Sequence, residues 1–269
     1  RHPAGSCGKA GSPQAARLPS AMQMQTSTMQ PAGPYGDLEH QGGKQFVTSY
    51  DAVIRAGFIR KVYSILAIQL IVTVGGAALC MLHDGIRETV LHTPSMFYAA
   101  MFLPLGLIFA LMCYKDKHPT NIILLGCFTV CEAYTVGVIC AMYYASGMGM
   151  LVLQALMLTA AVFVGLTAYT FTTKKDFSFL GAGLFTALIV LLVWSMLNMF
   201  FDFGLGGRMV FSLFGALLFS GYILYDTSQI MHHLGPDDYV EGAISLYLDL
   251  INLFLYLLEF LRTLQGGSD

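Results

Sequence analysis

Charge is what this sequence lacks most. Fourteen Lys and Arg with sixteen Asp and Glu make only 11% of its 269 residues charged, against roughly 25% in an ordinary soluble domain. A soluble fold of this length could not clothe its surface with so few charges while 56% of its residues are hydrophobic. A net charge of -2 supplies no broad basic field, so nucleic acid is not an expected partner. Cysteine is also sparse. Of the six, Cys80, Cys113, Cys127, Cys131 and Cys140 lie inside apolar blocks and Cys7 in a polar leader, which is no disulfide framework. Cys127 and Cys131 stand one helical turn apart, without the further His or Cys that zinc requires. They read as packing residues. The single tryptophan, Trp194, reads as packing or an interfacial anchor.

Residues 1–50 lack acid before Asp37 and are rich in Gly, Ser, Pro and Gln. This predicts a disordered cytosolic tail, ahead of a membrane domain over 51–265. The start at Arg1 rather than Met reads as a processed or incomplete terminus, and Arg1, Lys9 and Arg17 without acid also fit a transit peptide.

What is present is a series of long apolar blocks. A spanning helix needs about 20 predominantly apolar residues, and seven segments meet that length: 62–82, 96–114, 120–144, 150–171, 177–200, 208–230 and 243–261. Short separators such as His83-Asp84-Gly85, Lys174-Lys175-Asp176 and Gly235-Pro236-Asp237-Asp238 divide them. The fold class expected is an all-α polytopic membrane protein. Membrane β-strands are about half as long and alternate, so they are excluded. Arg55, Arg60, Lys61, Lys115, Lys117, Lys174 and Lys175 gather on one side, and Arg87, Arg208 and Arg262 on the other. The positive-inside rule then places the N-terminal side in the cytosol, and seven crossings place the C-terminus opposite. The sixth loop, 231–242, should be cytosolic yet has no Lys or Arg; a re-entrant last segment would instead return the C-terminus to the cytosol. Recurrent glycines within the blocks, Gly137, Gly215 and Gly221 among them, suit close helix packing in lipid.

Four acids fall inside the spans: Glu132, Asp226, Asp249 and Glu259. A carboxylate at a helix centre costs about 2.5–3.5 kcal/mol to insert, so such residues are functional candidates. From the expected helix limits, Asp226 lies about 6 Å and Asp249 about 9 Å from the same membrane face, on consecutive helices. They can meet, share a proton and titrate as a unit, and they could hold calcium transiently, as a hard cation takes carboxylate oxygens. The alternative is that each aspartate is a hydrogen-bonded packing element. Ser245, Asn252, Tyr256 and Glu259 project within roughly 80° of Asp249, so this helix should be central. Glu132, Asn252 and Glu259 are candidates for a cation path; the alternatives are that Glu132 is paired with Tyr or Asn partners and, as the favoured reading there, that Glu259 snorkels to water at the far interface. His232 and His233 with Asp237 and Asp238 could be read as a metal site or as solvated loop residues that add pH sensitivity.

Several stretches resemble one family. They are Gly57 through Leu66 (GFIRKVYSIL), Pro119 through Leu125 (PTNIILL), Tyr225-Asp226-Thr227, and Ser245 through Tyr256 (SLYLDLINLFLY). Thr172 through Phe177 (TTKKDF) is also similar. Together they resemble the Bax-inhibitor family, in its Lifeguard branch, across about residues 55–265. The resemblance implies seven transmembrane helices with the last helix central, a pH-sensitive calcium leak, and suppression of programmed cell death. It aligns the family's aspartate pair with Asp226 and Asp249. Some members of that family carry a basic residue in the second helix that pairs with the helix-six aspartate; it has no counterpart in 96–114, which contains neither Lys nor Arg.

The function expected is therefore a pH-sensitive calcium leak of an internal membrane, the endoplasmic reticulum or Golgi, with the plasma membrane and mitochondrial inner membrane as alternatives. Lipid and permeant calcium would be its partners, with death-regulating or calcium-channel membrane proteins besides, and no cofactor. The alternative is a non-conducting scaffold that regulates death or stress signalling. An intramembrane aspartyl protease also places two aspartates on neighbouring helices. It carries Gly-x-Gly-Asp at the second, where this chain has Leu246-Tyr247-Leu248-Asp249, so no enzyme is expected.

Overall fold

A computed structural model of the chain describes residues 36–114, 117–173, 175–201 and 203–266. By contacts the chain divides into residues 1–47 and 48–269, and the second unit holds the features below. All regular structure among the described residues is helical: α1 (Gly36–Leu82), α2 (Asp84–His92), α3 (Pro94–Tyr114), α4 (Thr120–Ala145), α5 (Gly149–Thr173), α6 (Gly181–Phe200), α7 (Gly204–His232) and α8 (Tyr239–Gln265). A single 3-10 turn, Ser178–Leu180, leads into α6.

Six of these helices are long and apolar enough to cross a membrane: α1 from Asp51, α4, α5, α6 with its leading turn, α7 and α8. The second expected span corresponds to α3, which is 21 residues long and contributes the shorter apolar stretch Phe102–Tyr114. The tail expected to be disordered through residue 50 lies outside the described residues as far as residue 35. From Gly36 onward the chain is already helical, there being no proline between Pro34 and Pro94 to interrupt it. The separator after α1 forms the short helix α2, whose N-terminus is capped by His83 Nδ1 accepting from the Ile86 N–H at 3.4 Å.

Helix α8 is the centre of the bundle. It packs on α4, α5 and α7 and reaches α1 through Tyr247, whose hydroxyl lies 2.8 Å from Thr73 Oγ1. Leu246, Tyr247, Leu253 and Leu258 are fully enclosed. Lipid tails are as apolar as these side chains, so the bundle is held by close packing rather than by escape from water. The α1–α4 contact shows this: a Cβ on Gly137 would meet Cys80 Sγ at 2.9 Å, and one on Gly76 would meet Ala133 Cβ at 3.3 Å. Hydroxyls inside the bundle are satisfied largely within their own helices. Thr73, Thr129, Thr159 and Thr170 each donate to the carbonyl four residues back.

The helices overrun the expected spans. Helix α7 continues to His232 and α8 starts at Tyr239, so the sixth loop shrinks to residues 233–238. Although this loop has no Lys or Arg, α1 supplies two. Arg55 Nη1 donates to the Leu234 and Ile230 carbonyls at the end of α7, a favourable place for a cation. Lys61 Nζ lies 3.1 Å above the Tyr239 ring at the start of α8.

Candidate functional site

Asp226 and Asp249 are brought together. Their carboxyl groups lie within hydrogen-bonding reach of one another. Counted from the observed helix ends, Asp226 is about 9 Å and Asp249 about 15 Å in, a larger offset than the expected limits gave. Asp249 is 5% exposed and its Oδ2 has no hydrogen-bond partner. Tyr222, one turn before Asp226 on α7, lies within electrostatic range of both carboxyls.

The other sequence candidates occupy separate places. Glu132 is half-buried on α4 and senses the Tyr247 hydroxyl electrostatically. It stands beside a polar layer that sequence reasoning missed: Gln69 Nε2 donates to Thr129 Oγ1 at 3.1 Å, and Tyr247 meets Thr73. The i, i+4 spacing of Gln69 and Thr73 on α1, and the i, i+3 spacing of Thr129 and Glu132 on α4, were the available signals. Asn252 Nδ2 donates to the Leu248 carbonyl of its own helix at 2.8 Å. Glu259 lies about 15 Å along α8 from Asp249, where it accepts from Tyr143 at 2.8 Å and pairs with Arg262 at 3.3 Å. Both Glu259 and Arg262 line a cavity of about 530 Å³ with Gln154, Leu205, Arg208 and Gln265.

Along α8, between the aspartate pair and Glu259, lies an aromatic stack. The Tyr256 ring stacks on Phe219 at 5.7 Å and meets Phe211 edge-on at 5.7 Å, and Phe211 in turn meets Trp194. Gly215 makes room for it, since a Cβ there would lie 2.4 Å from the Tyr256 ring. Tyr256 thus stands between Asp249 and Glu259 along α8, packed among aromatic rings.

The basic end carries a clasp invisible in the sequence. The linker before α6 is tied to the last turn of α7 by the Phe177 N–H donating to Ser228 Oγ at 2.9 Å, and by His233 Nε2 to Asp176 Oδ2 at 2.9 Å. The Ser178 backbone N–H, and after it the His233 ring, hold the Asp176 carboxyl down to about 2. His232 Nδ1 faces the Ser228 carbonyl. The two histidines therefore engage α7 and the α5–α6 linker, and no cluster of three metal-ligating side chains occurs among the described residues. Cys80, Cys113, Cys127, Cys131 and Cys140 are free thiols.

The family described as Inhibitor of apoptosis-promoting Bax1 matches residues 55–266. Protein lifeguard 4 of Mus musculus is 44% identical over 219 residues, covering 81% of this chain and 90% of that protein. The Golgi anti-apoptotic protein of Vaccinia virus (strain Lister) is 44% identical over 216 residues, 80% of this chain and 89% of the relative. Protein LIFEGUARD 1 of Arabidopsis thaliana is 41% identical over 230 residues, 82% and 96%. With a central α8, an aspartate pair at its junction with α7, and this extent of match, the chain belongs to the Bax-inhibitor family.

Proposed function

We propose that the protein is a pH-sensitive calcium leak of an internal membrane, with Asp226 and Asp249 as its gate, and that it restrains programmed cell death. The observation that carries the gate is the meeting of the two carboxyl groups within the bundle. Two carboxyls at hydrogen-bonding distance need a proton between them. With one proton shared, α7 and α8 are linked at this level. When the second ionises, the two charges repel and recruit a cation, for which calcium is suited. Ion passage also requires the Tyr256 stack to open, so the conformation described is the closed one. Suppression of cell death rests on the description of the family and the name of the viral relative, and an internal, Golgi-type membrane on that viral name alone.

Calcium flux into liposomes containing the purified chain, followed across pH, tests the gate. Asp226→Asn and Asp249→Asn should each abolish the pH dependence, and the double variant should add little beyond the stronger single one, because the groups act as a unit. If both single variants retain the wild-type flux–pH curve, the aspartates are packing elements. Absence of flux from the wild-type chain would instead favour a non-conducting scaffold for death or stress signalling, a reading supported by the closed aromatic stack.

A further inference from the structure

Helices α1 and α5 touch at the basic end, where Tyr63 packs against Phe163 and Phe171 with centroids 6.4 and 5.9 Å apart. Toward the other end they enclose a slot of about 380 Å³ between them, a size within the roughly 300–1,000 Å³ of small-molecule sites. Its walls include the small residues Ala77 and Ala78 of α1 and Gly149 and Ala160 of α5, and its floor includes Leu250 and Ile251 of α8. The slot is long and runs with the helices. It extends from Leu70 to Met81 on α1, about 16 Å, and from Gly149 to Val164 on α5, about 22 Å. One leaflet of the hydrocarbon core is about 15 Å thick, so the slot has the height of a single leaflet.

Its end carries a cation. Arg87 Nη1 donates to the Met81 carbonyl at 2.8 Å, where Met81 is the last slot residue on α1. The same guanidinium lies over the Tyr144 ring at 5.2 Å. The Tyr144 ring abuts Gly149, the first slot residue on α5, with a Cβ there placed 2.8 Å from the ring. Arg87 thus spans the slot's mouth. Its pair with Asp84 and its bond to Met81 use part of a group with five N–H donors. A guanidinium at the level of the headgroups suits a phosphate oxygen, and an apolar cleft of one leaflet's height suits a hydrocarbon tail.

We infer that this slot holds one acyl chain of a bilayer phospholipid, with its phosphate at Arg87. The occupant comes from the surrounding leaflet, because the rim residues Val74, Leu153 and Val164 are exposed on the outer surface of the bundle. It bears on Leu250 and Ile251, the two residues that follow Asp249 on the central helix. Binding itself does not depend on whether the aspartate pair gates an ion.

The full chain in phosphatidylcholine liposomes, with a trace of phosphatidylcholine carrying a diazirine on its acyl chain, provides the test. After irradiation, peptides from 70–81 and 149–164 should carry about tenfold more label than α6, as an occupied site worth tenfold in affinity would give. Filling the slot by Ala160→Leu or Ala77→Leu should remove that excess. Arg87→Gln, outside the slot, should lower phospholipid labelling about fivefold, yet leave labelling by a diazirine fatty alcohol, which has no phosphate, unchanged. Equal labelling of the slot and α6 in the wild-type chain would overturn the site without recourse to any variant. An unchanged phospholipid signal in Arg87→Gln would overturn the phosphate assignment. Preferential labelling by a diazirine sterol, with the phospholipid probe excluded, would replace the proposed occupant.

Discussion

Helices α6 and α8 are built from similar residues and have opposite fates. The apolar window that includes α6 has a mean hydropathy of 2.3 and is 6% buried; that of α8 has a mean hydropathy of 1.7 and is 50% buried. In water the more apolar segment would occupy the interior. Here the order is inverted, because lipid accepts an apolar surface at no cost while Asp249, Asn252, Tyr256 and Glu259 must be kept from it. Packing, not hydropathy, therefore separates the two helices, and identical substitutions should have unequal effects on them.

The largest contrast is expected for leucine truncation. Leu253→Ala, in a fully enclosed part of α8, should destabilise the bundle by about 2–5 kcal/mol through lost contacts and a cavity. Leu192→Ala on α6, 57% exposed, should change stability by less than about 0.5 kcal/mol. Unfolding of the two variants in mixed micelles would measure the difference, and equal effects would remove α8 from the centre. Adding a methyl comes next. Gly215→Ala must displace the Tyr256 ring and should cost about 1–3 kcal/mol. Gly183→Ala on α6 meets nothing within 4 Å and should be neutral or stabilising by up to about 1 kcal/mol. A smaller effect attends Tyr247→Phe, which removes the partner of Thr73 and should cost about 1 kcal/mol. Thr186→Val on α6, whose exposed hydroxyl bonds only its own helix, should cost almost nothing by the same assay.

The smallest expected effect lies at the foot of α6, in the Asp176 clasp. The folded carboxyl is lowered from its ordinary 3.8 to about 2. A lowered acid stabilises the structure in which it is ionised, so this contribution is complete above about pH 4 and disappears as the pH falls through 2. Hydrogen exchange at the Phe177 and Ser178 amides, corrected for intrinsic rates, should rise across that window. Asp176→Asn should remove the acid-dependent step. A step that persists in Asp176→Asn would assign it to another group.

Much of this arrangement was legible in the sequence because local chemistry determines it. Length and composition identify the spanning helices, and the Gly235 to Asp238 separator forces α7 and α8 into an antiparallel pair that brings Asp226 near Asp249. The polar face of α8 likewise requires a central position. Contacts between distant segments left no comparable mark. Asp176 and His233 are 57 residues apart, and Thr73 and Tyr247 are 174 apart. Nothing local to either residue names its partner. Asp226 and Asp249 meet although α7 and α8 run past the limits that their apolar blocks suggest, because an extension along the axis rotates no side chain. The continuity of Asn252 and Glu259 with the pair was not legible, since it depends on how the Tyr256 ring fills the space offered by Gly215.

The cations that cover the α7–α8 loop belong to α1, and this has a consequence for biosynthesis. Arg55 and Lys61 are made before the loop they serve, and Arg55 is 175 and 179 residues from its two carbonyl partners. The last hairpin has no Lys or Arg at its own loop, while Arg208 and Arg262 stand at its other end, so it must take its orientation from helices already inserted. Expressed alone, residues 204–266 should therefore enter the membrane inverted, with Arg208 and Arg262 in the cytosol, whereas co-expression with a separate fragment containing α1 should restore the native orientation.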